Sequence, residues 1–325
     1  MSIVIEKEYI HVVIAVILNC KQEVLVSRRK ADAHLGGLLE FPGGKVEEGE
    51  LVEDALCREL LEEIGIHASV SNPLIQIPYS YPDRNVLLDV FLVDDFSGSV
   101  IAQEGQEVFW KSIASLHDID FPAANFGVLR ALQLPKLLPI TPNYSADRDN
   151  FLINFERLVC GDAIQMIQLR SHELGDDEYV KLAKNCSALC KRNGVKLILN
   201  RDVETLNKVR DADIHIHLTS SRLLESTNRP LSDKNIVGAS CHNLGEIQHA
   251  NALKLDYIIL GPVIEKSTIK DSVNLGWEGF ADLAKQSVVP VYAIGALSVA
   301  EEESSAMNGG QGIAAIRSFW GKVID

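Results

Sequence analysis

The hydrophobic pattern at the start of the chain predicts two strands. Residues 11–18 form an unbroken β-branched apolar run, which is typical of a central strand. Residues 23–29 alternate between apolar and polar positions, which is typical of a strand with one buried face. Residues 19–22 have the composition of a turn, so we expect the two strands to form a hairpin.

The pattern then changes to the period of a helix over residues 51–64. Leu56, Leu60 and Ile64 recur every four residues, so they are expected to face a core. A second face of the same helix carries three acidic residues at positions i, i+3 and i+4, which are Glu59, Glu62 and Glu63.

Three like charges on one helix face repel one another unless a positive partner lies among them. We predict Mg²⁺ or Mn²⁺ as that partner, because hard divalent cations prefer carboxylate oxygens. The glycine turn at residues 41–44 is expected to bring backbone atoms close to the same ion. A solvated acidic face is the alternative interpretation of the three glutamates.

After Pro135 the chain alternates between short apolar runs and helical patterns. The predicted strands are residues 137–141, 164–169, 196–199, 214–218, 236–239, 257–260, 289–293 and 312–316. The clearest helices between them are residues 178–191, 244–253 and 279–285. Eight strand–helix units in about 190 residues predict a (β/α)₈ barrel, with a doubly wound sheet as the alternative.

Composition fits a two-domain globular chain. It has 325 residues, of which 46% are hydrophobic and 23% are charged, and we place the domains at residues 1–134 and 135–325. The formal net charge of −14 argues against binding to a nucleic acid polymer or to a membrane surface. Neither a run long enough to span a membrane nor a signal peptide is evident in the sequence.

The six cysteines include no C-x-x-C pair, and a reducing cytoplasm fits them best. Cys186 and Cys190 lie four residues apart in a helical pattern. We expect buried thiols there rather than a zinc site, because two further ligands cannot be placed.

The stretch from Gly44 to Ile66 resembles the signature of the Nudix hydrolases. The nine matching positions over 23 residues are Gly44, Glu50, Arg58, Glu59, Leu60, Glu62, Glu63, Gly65 and Ile66. The resemblance implies an α/β/α sandwich that cleaves a nucleoside diphosphate linked to another moiety.

Further segments are similar to the MutT-type members of that family. They are SRRKADAH at residues 27–34, LEFPGGK at 39–45, YPDR at 81–84, EGQ at 104–106 and FPAAN at 121–125. This resemblance implies hydrolysis of 8-oxo-dGTP to 8-oxo-dGMP and pyrophosphate, which removes an oxidised nucleotide from the precursor pool.

Pyrophosphate hydrolysis needs a positioned water and neutralisation of the phosphate charge. Glu59 is expected to direct or deprotonate that water, and Arg58 either orients Glu59 or forms a structural salt bridge. Lys45 and Glu50 are expected to support them, with Glu50 capping the helix or pairing with a cation. The metal ligands implied by the resemblance are the Gly43 carbonyl, Glu59, Glu62, Glu63 and Glu104.

The same resemblance implies a nucleotide-binding set. Asn125 offers a donor and an acceptor, which suits the edge of a purine. Phe41 and Tyr81 either pack on the base or belong to the core. The full set is Arg29, His34, Glu40, Phe41, Tyr81, Asp83, Arg84 and Asn125.

The second domain resembles thiamine phosphate synthase and its TenI-type relatives. The segments that carry this similarity are residues 137–141, 168–170, 237–242, 257–263, 275–277 and 293–295. The resemblance implies a TIM barrel with His242 as a proton-transferring residue. A loop histidine that caps the following helix is the alternative. The implied phosphate-binding residues are Arg170, Gly261 and Gly295. The alternative interpretation of Arg170 is that it forms an ion pair at the rim of the barrel.

Several positions depart from the synthase pattern. His172 stands where those enzymes have a lysine, and Arg201 follows Asn200 where they have an aspartate. Residues 218–221 lack an evident aspartate, and Ala296 replaces the second of two glycines. That alanine is expected to be tolerated only with a negative φ. These changes argue against full synthase activity.

Three functional hypotheses therefore stay open. The first is Nudix hydrolysis of a nucleoside triphosphate beside a barrel of uncertain activity. The second is a thiamine-pathway enzyme that binds a thiazole or thiamine phosphate in the barrel and hydrolyses a thiamine-related pyrophosphate in the Nudix domain. The third treats the barrel as a non-catalytic binding module or as the contact of a homo-oligomer.

Overall fold

The computed structural model describes residues 9–31, 35–209, 215–264 and 274–321. The chain divides into two units, Met1–Gln133 and Leu134–Asp325. His34, one of the predicted nucleotide-binding residues, lies outside the described residues. Among the described residues, no helix combines the length and the apolar composition needed to cross a membrane.

In its described part the first unit forms two sheets. Its strands are β1 (Ile10–Ile17), β2 (Glu23–Arg28), β3 (Leu39–Glu40), β4 (Gly43–Lys45), β5 (Ile66–Ser80), β6 (Asn85–Gly98) and β7 (Glu107–Ser112). The larger sheet has the order β4-β1-β6-β5, in which β1 is parallel to β6 and antiparallel to β4. The smaller sheet is antiparallel and has the order β3-β2-β7.

The predicted hairpin between the first two strands is wrong. β1 and β2 belong to different sheets, and a single bridge between Leu18 and Val24 joins their ends. The turn itself is present, since the Gln22 N–H donates to the Asn19 carbonyl at 2.9 Å. Both edges of β1 are occupied by β4 and β6, so no edge is available for β2.

Helix α1 (Val52–Ile64) packs on one face of β1. Its three predicted core residues are fully buried, which confirms the predicted helix: Leu56, Leu60 and Ile64. They share a core with alternate residues of β1, which are Val13, Ala15 and Ile17. The helix ends at Gly65, whose left-handed φ of 70° lets its N–H close the last turn. A shorter helix, α2 (Phe126–Gln133), follows later in this unit.

The second unit is a parallel eight-stranded sheet rolled into a nearly closed barrel, which confirms the predicted fold over the doubly wound alternative. Its strands are β8 (Leu137–Pro139), β9 (Met166–Leu169), β10 (Lys196–Leu199), β11 (His215–Leu218), β12 (Val237–Cys241), β13 (Tyr257–Leu260), β14 (Val291–Ala293) and β15 (Gly312–Ala315). Each strand pairs with the next, and β15 returns to β8. A parallel bridge between Ile140 and Gln168 joins β8 to β9.

Helices follow the strands around the barrel. They are α3 (Phe151–Val159), α4 (Asp176–Asn193), α5 (Val203–Val209), α6 (Ser220–Glu225), α7 (Leu244–Ala252), α8 (Gly276–Ala284), α9 (Glu302–Met307) and α10 (Arg317–Trp320). The predicted strand at residues 214–218 is found from His215, and residue 214 lies outside the described part. Cys186 and Cys190 are buried free thiols in α4, as predicted.

Aromatic rings fill the barrel interior. Tyr257 and Tyr292 are fully buried and meet edge to face, with ring centroids 5.5 Å apart. The His217 ring also stacks on Tyr257, with ring centroids 5.8 Å apart. Gly238 on the neighbouring strand leaves space for this ring, because a Cβ there would lie 2.1 Å from the tyrosine Cζ.

Replacing Gly238 with alanine is therefore expected to destabilise the barrel. The ring of Tyr257 is fully buried and contacts two other rings, so it has little space to move aside, and we expect a loss of about 1–3 kcal/mol. Urea unfolding of the full chain measures this loss. Gly245→Ala is the matched control, since its Cβ meets its nearest neighbour at an ordinary 3.4 Å within α7. Equal unfolding midpoints for the two variants would contradict the packing argument.

Candidate functional site

A cavity of about 370 Å³ opens in the first unit on the face of β1 opposite α1. Because strand side chains alternate, β1 contributes Ile10, Val12 and Ile14 to its wall while the residues between them enter the core. Val86 and Leu88 of the paired strand β6 continue this apolar wall. These five residues were not among the predicted site residues, although the alternation along β1 was the sequence signal that could have indicated them.

Six of the predicted nucleotide-binding residues line this cavity, and they are Arg29, Glu40, Phe41, Tyr81, Arg84 and Asn125. Asp83 is not among the described residues of the wall, and its carboxylate instead accepts two hydrogen bonds from Arg84 at 2.8 and 2.6 Å. The cavity therefore brings together side chains that are up to 115 positions apart in the chain, from Ile10 to Asn125.

Asn125 is held in place by the turn that carries it. The residue is 5% exposed and ends a short 3₁₀ turn, Ala123–Asn125. The Tyr81 hydroxyl accepts a hydrogen bond from the backbone N–H of Ala124 at 3.3 Å. Phe41 stacks on Phe121 with centroids 5.1 Å apart, so it belongs to the core and also lines the cavity.

The polar end of the cavity is acidic. Arg29 and Glu40 form an ion pair at 2.5 Å, and burial raises the pKa of the Glu40 carboxyl. Glu63 of α1 reaches the same cavity, where its carboxylate accepts a hydrogen bond from the Gly43 N–H at 3.1 Å. Burial, followed by the negative charges of Glu40, Glu104 and Glu59, raises the pKa of Glu63 to about 7.

The glycine turn makes room for a second carboxylate. A Cβ on Gly44 would lie 2.2 Å from the carboxyl carbon of Glu59, so a side chain at this position would displace Glu59. Gly43 has a φ of 148°, and a Cβ there would lie 2.1 Å from the Val13 carbonyl oxygen. Both glycines are therefore needed for the close approach of β4 to α1 and β1.

Arg58 is the positive group among these glutamates. Its guanidinium donates two hydrogen bonds to Glu50 at 2.9 Å and one to Glu59 at 2.8 Å. It also donates to the Lys45 carbonyl at 3.1 Å and approaches Glu62 at 3.4 Å. Hydrogen bonding to Arg58 lowers the pKa of Glu50 to about 2. Arg58 thus both orients Glu59 and forms a salt bridge, and Glu50 pairs with a cation instead of capping α1.

The acidic residues match a hard cation in donor chemistry. The donor set is oxygen only. The raised pKa of Glu63 reflects burial first and then neighbouring negative charges, and a divalent cation would offset those charges. Glu62 is exposed beside Arg58, and Glu104 pairs with Lys30 at 3.5 Å. Within the described residues, no three acidic, histidine or cysteine side chains already surround one metal position.

A second cavity, of about 610 Å³, lies at the carboxyl ends of the later barrel strands. Three predicted residues line it, and they are His242, Gly261 and Gly295. His242 Nδ1 lies 3.0 Å from a Glu246 carboxylate oxygen, which also accepts the His242 backbone N–H at 2.7 Å. The alternative in which His242 caps the helix is wrong, because the N-cap of α7 is Asn243.

Two backbone positions in this cavity are conformationally restricted. Ala296 adopts a φ of 44°, so the expectation of a negative φ at this alanine is wrong. A left-handed alanine costs roughly 1–2 kcal/mol, which the surrounding loop must offset. At Gly261 a Cβ would lie 2.2 Å from the Ile294 carbonyl oxygen.

The barrel interior also contains a polar group that the sequence analysis missed. His217 contacts the Ser240 hydroxyl at 2.9 Å and the Tyr257 hydroxyl at 3.2 Å. Asn200 donates to the side-chain carbonyl of Gln168 at 3.1 Å. Burial lowers the pKa of His217 to about 3, so the imidazole is neutral. The sequence signal that could have indicated this polar group was a histidine inside a predicted strand that is otherwise mostly apolar.

The pKa of Glu63 predicts how the stability of the metal-free first unit depends on pH. Because the folded pKa is raised from 4.5 to about 7, the stabilisation is complete below pH 4.5 and is lost as the pH rises through about 7. We expect the free energy of unfolding to fall by on the order of 3 kcal/mol across this window. Glu63→Gln should remove this dependence in urea unfolding with a chelator present, whereas Glu53→Gln, exposed on the same helix, should retain it. If the free energy of unfolding of Glu63→Gln depended on pH as it does in the wild type, Glu63 would not be the source of this dependence.

Comparison with known proteins agrees with this division of the chain. The NUDIX domain family matches residues 13–131, and the thiamine monophosphate synthase family matches residues 137–319. The 8-oxo-dGTP diphosphatase of Escherichia coli K12 is 40% identical over 38% of this chain and 96% of its own length. The putative thiamine-phosphate synthase 2 of Aquifex aeolicus is 30% identical over 58% of this chain and 99% of its own length.

A solved MutT structure, from Aliivibrio salmonicida or Vibrio cholerae, is 36% identical and covers 38% of this chain and 94% of its own, with a TM-score of 0.33. Nudix hydrolases generally use divalent metal ions, which fits the oxygen donors gathered around Glu63. The chain therefore belongs to the MutT-type Nudix hydrolases through its first unit and to the thiamine monophosphate synthase family through its second.

Proposed function

We propose that the first unit converts 8-oxo-dGTP to 8-oxo-dGMP and pyrophosphate with the help of Mg²⁺ or Mn²⁺, and so removes an oxidised precursor of DNA. The observation that supports this most directly is the composition of the cavity of about 370 Å³. Its lining combines carboxylate and glycine positions suited to a metal-bound phosphate with apolar residues and Asn125 suited to a purine.

The reaction adds water to a phosphorus atom and breaks one P–O–P bridge. Glu59, Glu62, Glu63, Glu104 and the Gly43 carbonyl would hold the cation, which offsets phosphate charge and favours ionisation of water. Glu59 accepts the proton of that water, and Arg58 fixes its carboxylate through the hydrogen bond of 2.8 Å. Glu50 in turn fixes Arg58, and Lys45 contributes its carbonyl to the same guanidinium.

Base selection is assigned to Asn125. An 8-oxoguanine differs from guanine by an N7 hydrogen and an O8 oxygen, so an amide can distinguish them by its donor and acceptor atoms. Asn125 is buried and carried on a turn anchored by Tyr81, which limits its reorientation. The ion pair of Arg29 with Glu40 and the guanidinium of Arg84 provide further polar contacts along the nucleotide.

Glu59→Gln should abolish most of the metal-dependent hydrolysis, because the amide cannot accept a proton. We expect the rate of pyrophosphate release to fall by about 10²–10⁴-fold. The assay compares pyrophosphate release from 8-oxo-dGTP and dGTP with orthophosphate release from thiamine diphosphate, whose single P–O–P bridge yields orthophosphate, with Mg²⁺ on the full chain. Glu53→Gln on the same helix is the matched control and should keep the wild-type rate. If the wild-type chain hydrolysed thiamine diphosphate faster than 8-oxo-dGTP, the proposed substrate would be wrong.

Asn125→Ala should reduce the preference for 8-oxo-dGTP over dGTP more than it reduces the rate of hydrolysis. Losing one buried polar pairing costs about 1–3 kcal/mol, so the ratio of kcat/KM for 8-oxo-dGTP over dGTP should fall about tenfold or more. The rate on dGTP should change much less. Equal decreases in kcat/KM for the two nucleotides would contradict a role of Asn125 in base recognition.

A specific contact favours a second candidate function in the barrel. His242 lies in the cavity of about 610 Å³ with its Nδ1 atom beside Glu246, an arrangement that orients an imidazole for proton transfer. A thiazole phosphate is the proposed ligand. Proton exchange on that ligand that disappears in His242→Ala would support this function. Binding without exchange would instead favour a non-catalytic module.

A further inference from the structure

The loop at residues 99–106 is hydrogen-bonded to the last turn of α1, the helix that carries three of the proposed metal ligands. Ile101 donates its backbone N–H to the Ile64 carbonyl at 3.0 Å, and Gln103 donates its own to the Glu63 carbonyl at 2.9 Å. The last carbonyls of a helix have no partner within the helix, so the loop supplies the missing donors. The same loop carries Glu104, a fourth proposed ligand.

The side-chain amide of Gln106 joins two of these ligand residues directly. Its Nε2 atom donates to the Glu63 carbonyl at 3.1 Å, and its Oε1 atom accepts the backbone N–H of Glu104 at 3.1 Å. One half-buried amide therefore bridges the backbones of two glutamates that are 41 positions apart in the chain. The bridge needs both a donor and an acceptor, and a glutamate or methionine at position 106 would lack the donor.

The contact made by the Glu104 side chain is weaker than this backbone bridge. Its carboxylate lies 3.5 Å from the Lys30 ammonium, and the two side chains are 53% and 52% exposed. Ion pairs with this exposure contribute little, so this contact alone does not fix the loop. Burial, and then negative charges that include Glu104, raises the pKa of Glu63, so the loop holds Glu104 close to that carboxyl.

We propose that Gln106 is a positioning residue of the metal site, which holds Glu104 beside Glu63 and so sets the affinity for Mg²⁺ or Mn²⁺. Both polar atoms of its amide are engaged with backbone, so Gln106 acts through the two glutamates and not as a ligand. Hydrogen bonds that orient metal ligands affect affinity strongly, and their loss typically weakens metal binding by about 10–100-fold. This inference rests on the proposed function only in that Glu63 and Glu104 bind the cation.

Binding of Mn²⁺ to the full chain without nucleotide tests this inference. Electron paramagnetic resonance measures the free Mn²⁺, so the readout is a dissociation constant and not a rate. Gln106→Met keeps the length of the side chain but removes its donor and acceptor, and it should raise the dissociation constant about tenfold or more. Gln103→Met is the matched control and should bind Mn²⁺ as the wild type does, because its backbone N–H still donates to Glu63.

A double-mutant cycle separates positioning of the ligand from a general effect on the fold. In a chain that already carries Glu104→Gln, Gln106→Met should cause no further loss of Mn²⁺ affinity, because the carboxylate that it positions is absent. An equal loss in both backgrounds would mean that Gln106 supports the helix end and not the ligand, and would overturn the proposal. An unchanged dissociation constant in Gln106→Met would overturn it as well.

Hydrolysis of 8-oxo-dGTP by the same proteins distinguishes this inference from the proposed function. Weaker Mn²⁺ binding in Gln106→Met, beside a wild type that leaves 8-oxo-dGTP intact, would support the inference and contradict the proposed substrate. Unchanged binding beside an active wild type would do the reverse, and a wild type that binds no Mn²⁺ would contradict both. If Gln106→Met unfolds, Gln106→Asn replaces it, since its amide has a shorter reach and should cause the same loss.

Discussion

Carboxylates that share a small region repel one another, and much of the first unit is arranged around that repulsion. Arg58 offsets part of it by bridging Glu50 and Glu59. The glycine turn contributes a backbone N–H to Glu63 and leaves space for Glu59. Burial, and then the remaining repulsion, keeps the pKa of Glu63 high, and a divalent cation is the group that would relieve the repulsion. The same charges that repel one another in the metal-free site would attract a divalent cation.

The features that the sequence predicted well depend on local periodicity. The helix α1 repeats its buried residues every four positions, so its core face could be identified before the sheet was known. The barrel was predictable for a similar reason, since a run of short strands and helices has few parallel arrangements that bury both kinds of element. The motif around Glu59 carried family information that periodicity alone does not contain.

The features that were missed depend on contacts between distant segments. The hairpin failed because β6, about 75 positions later, takes the edge of β1 that a neighbouring strand would have used. The predicted turn at Asn19 is present, but the sequence of a turn does not show that a distant strand pairs with β1 in place of β2. Similarly, the partners of His217 come from two other strands, and the left-handed φ of Ala296 is imposed by its loop. Such constraints appear only when the whole sheet is assembled.

β1 contributes both to the core and to the cavity wall, because its side chains alternate between the two faces of the strand. Odd-numbered positions from Val13 enter the core under α1, and even-numbered positions such as Val12 and Ile14 form the cavity wall. Inserting or deleting a single residue would exchange the two faces and place core side chains in the cavity. This strand should therefore accept conservative replacements over evolutionary time yet keep a constant length, so gaps in related sequences should fall in the adjoining turn at Lys21 instead.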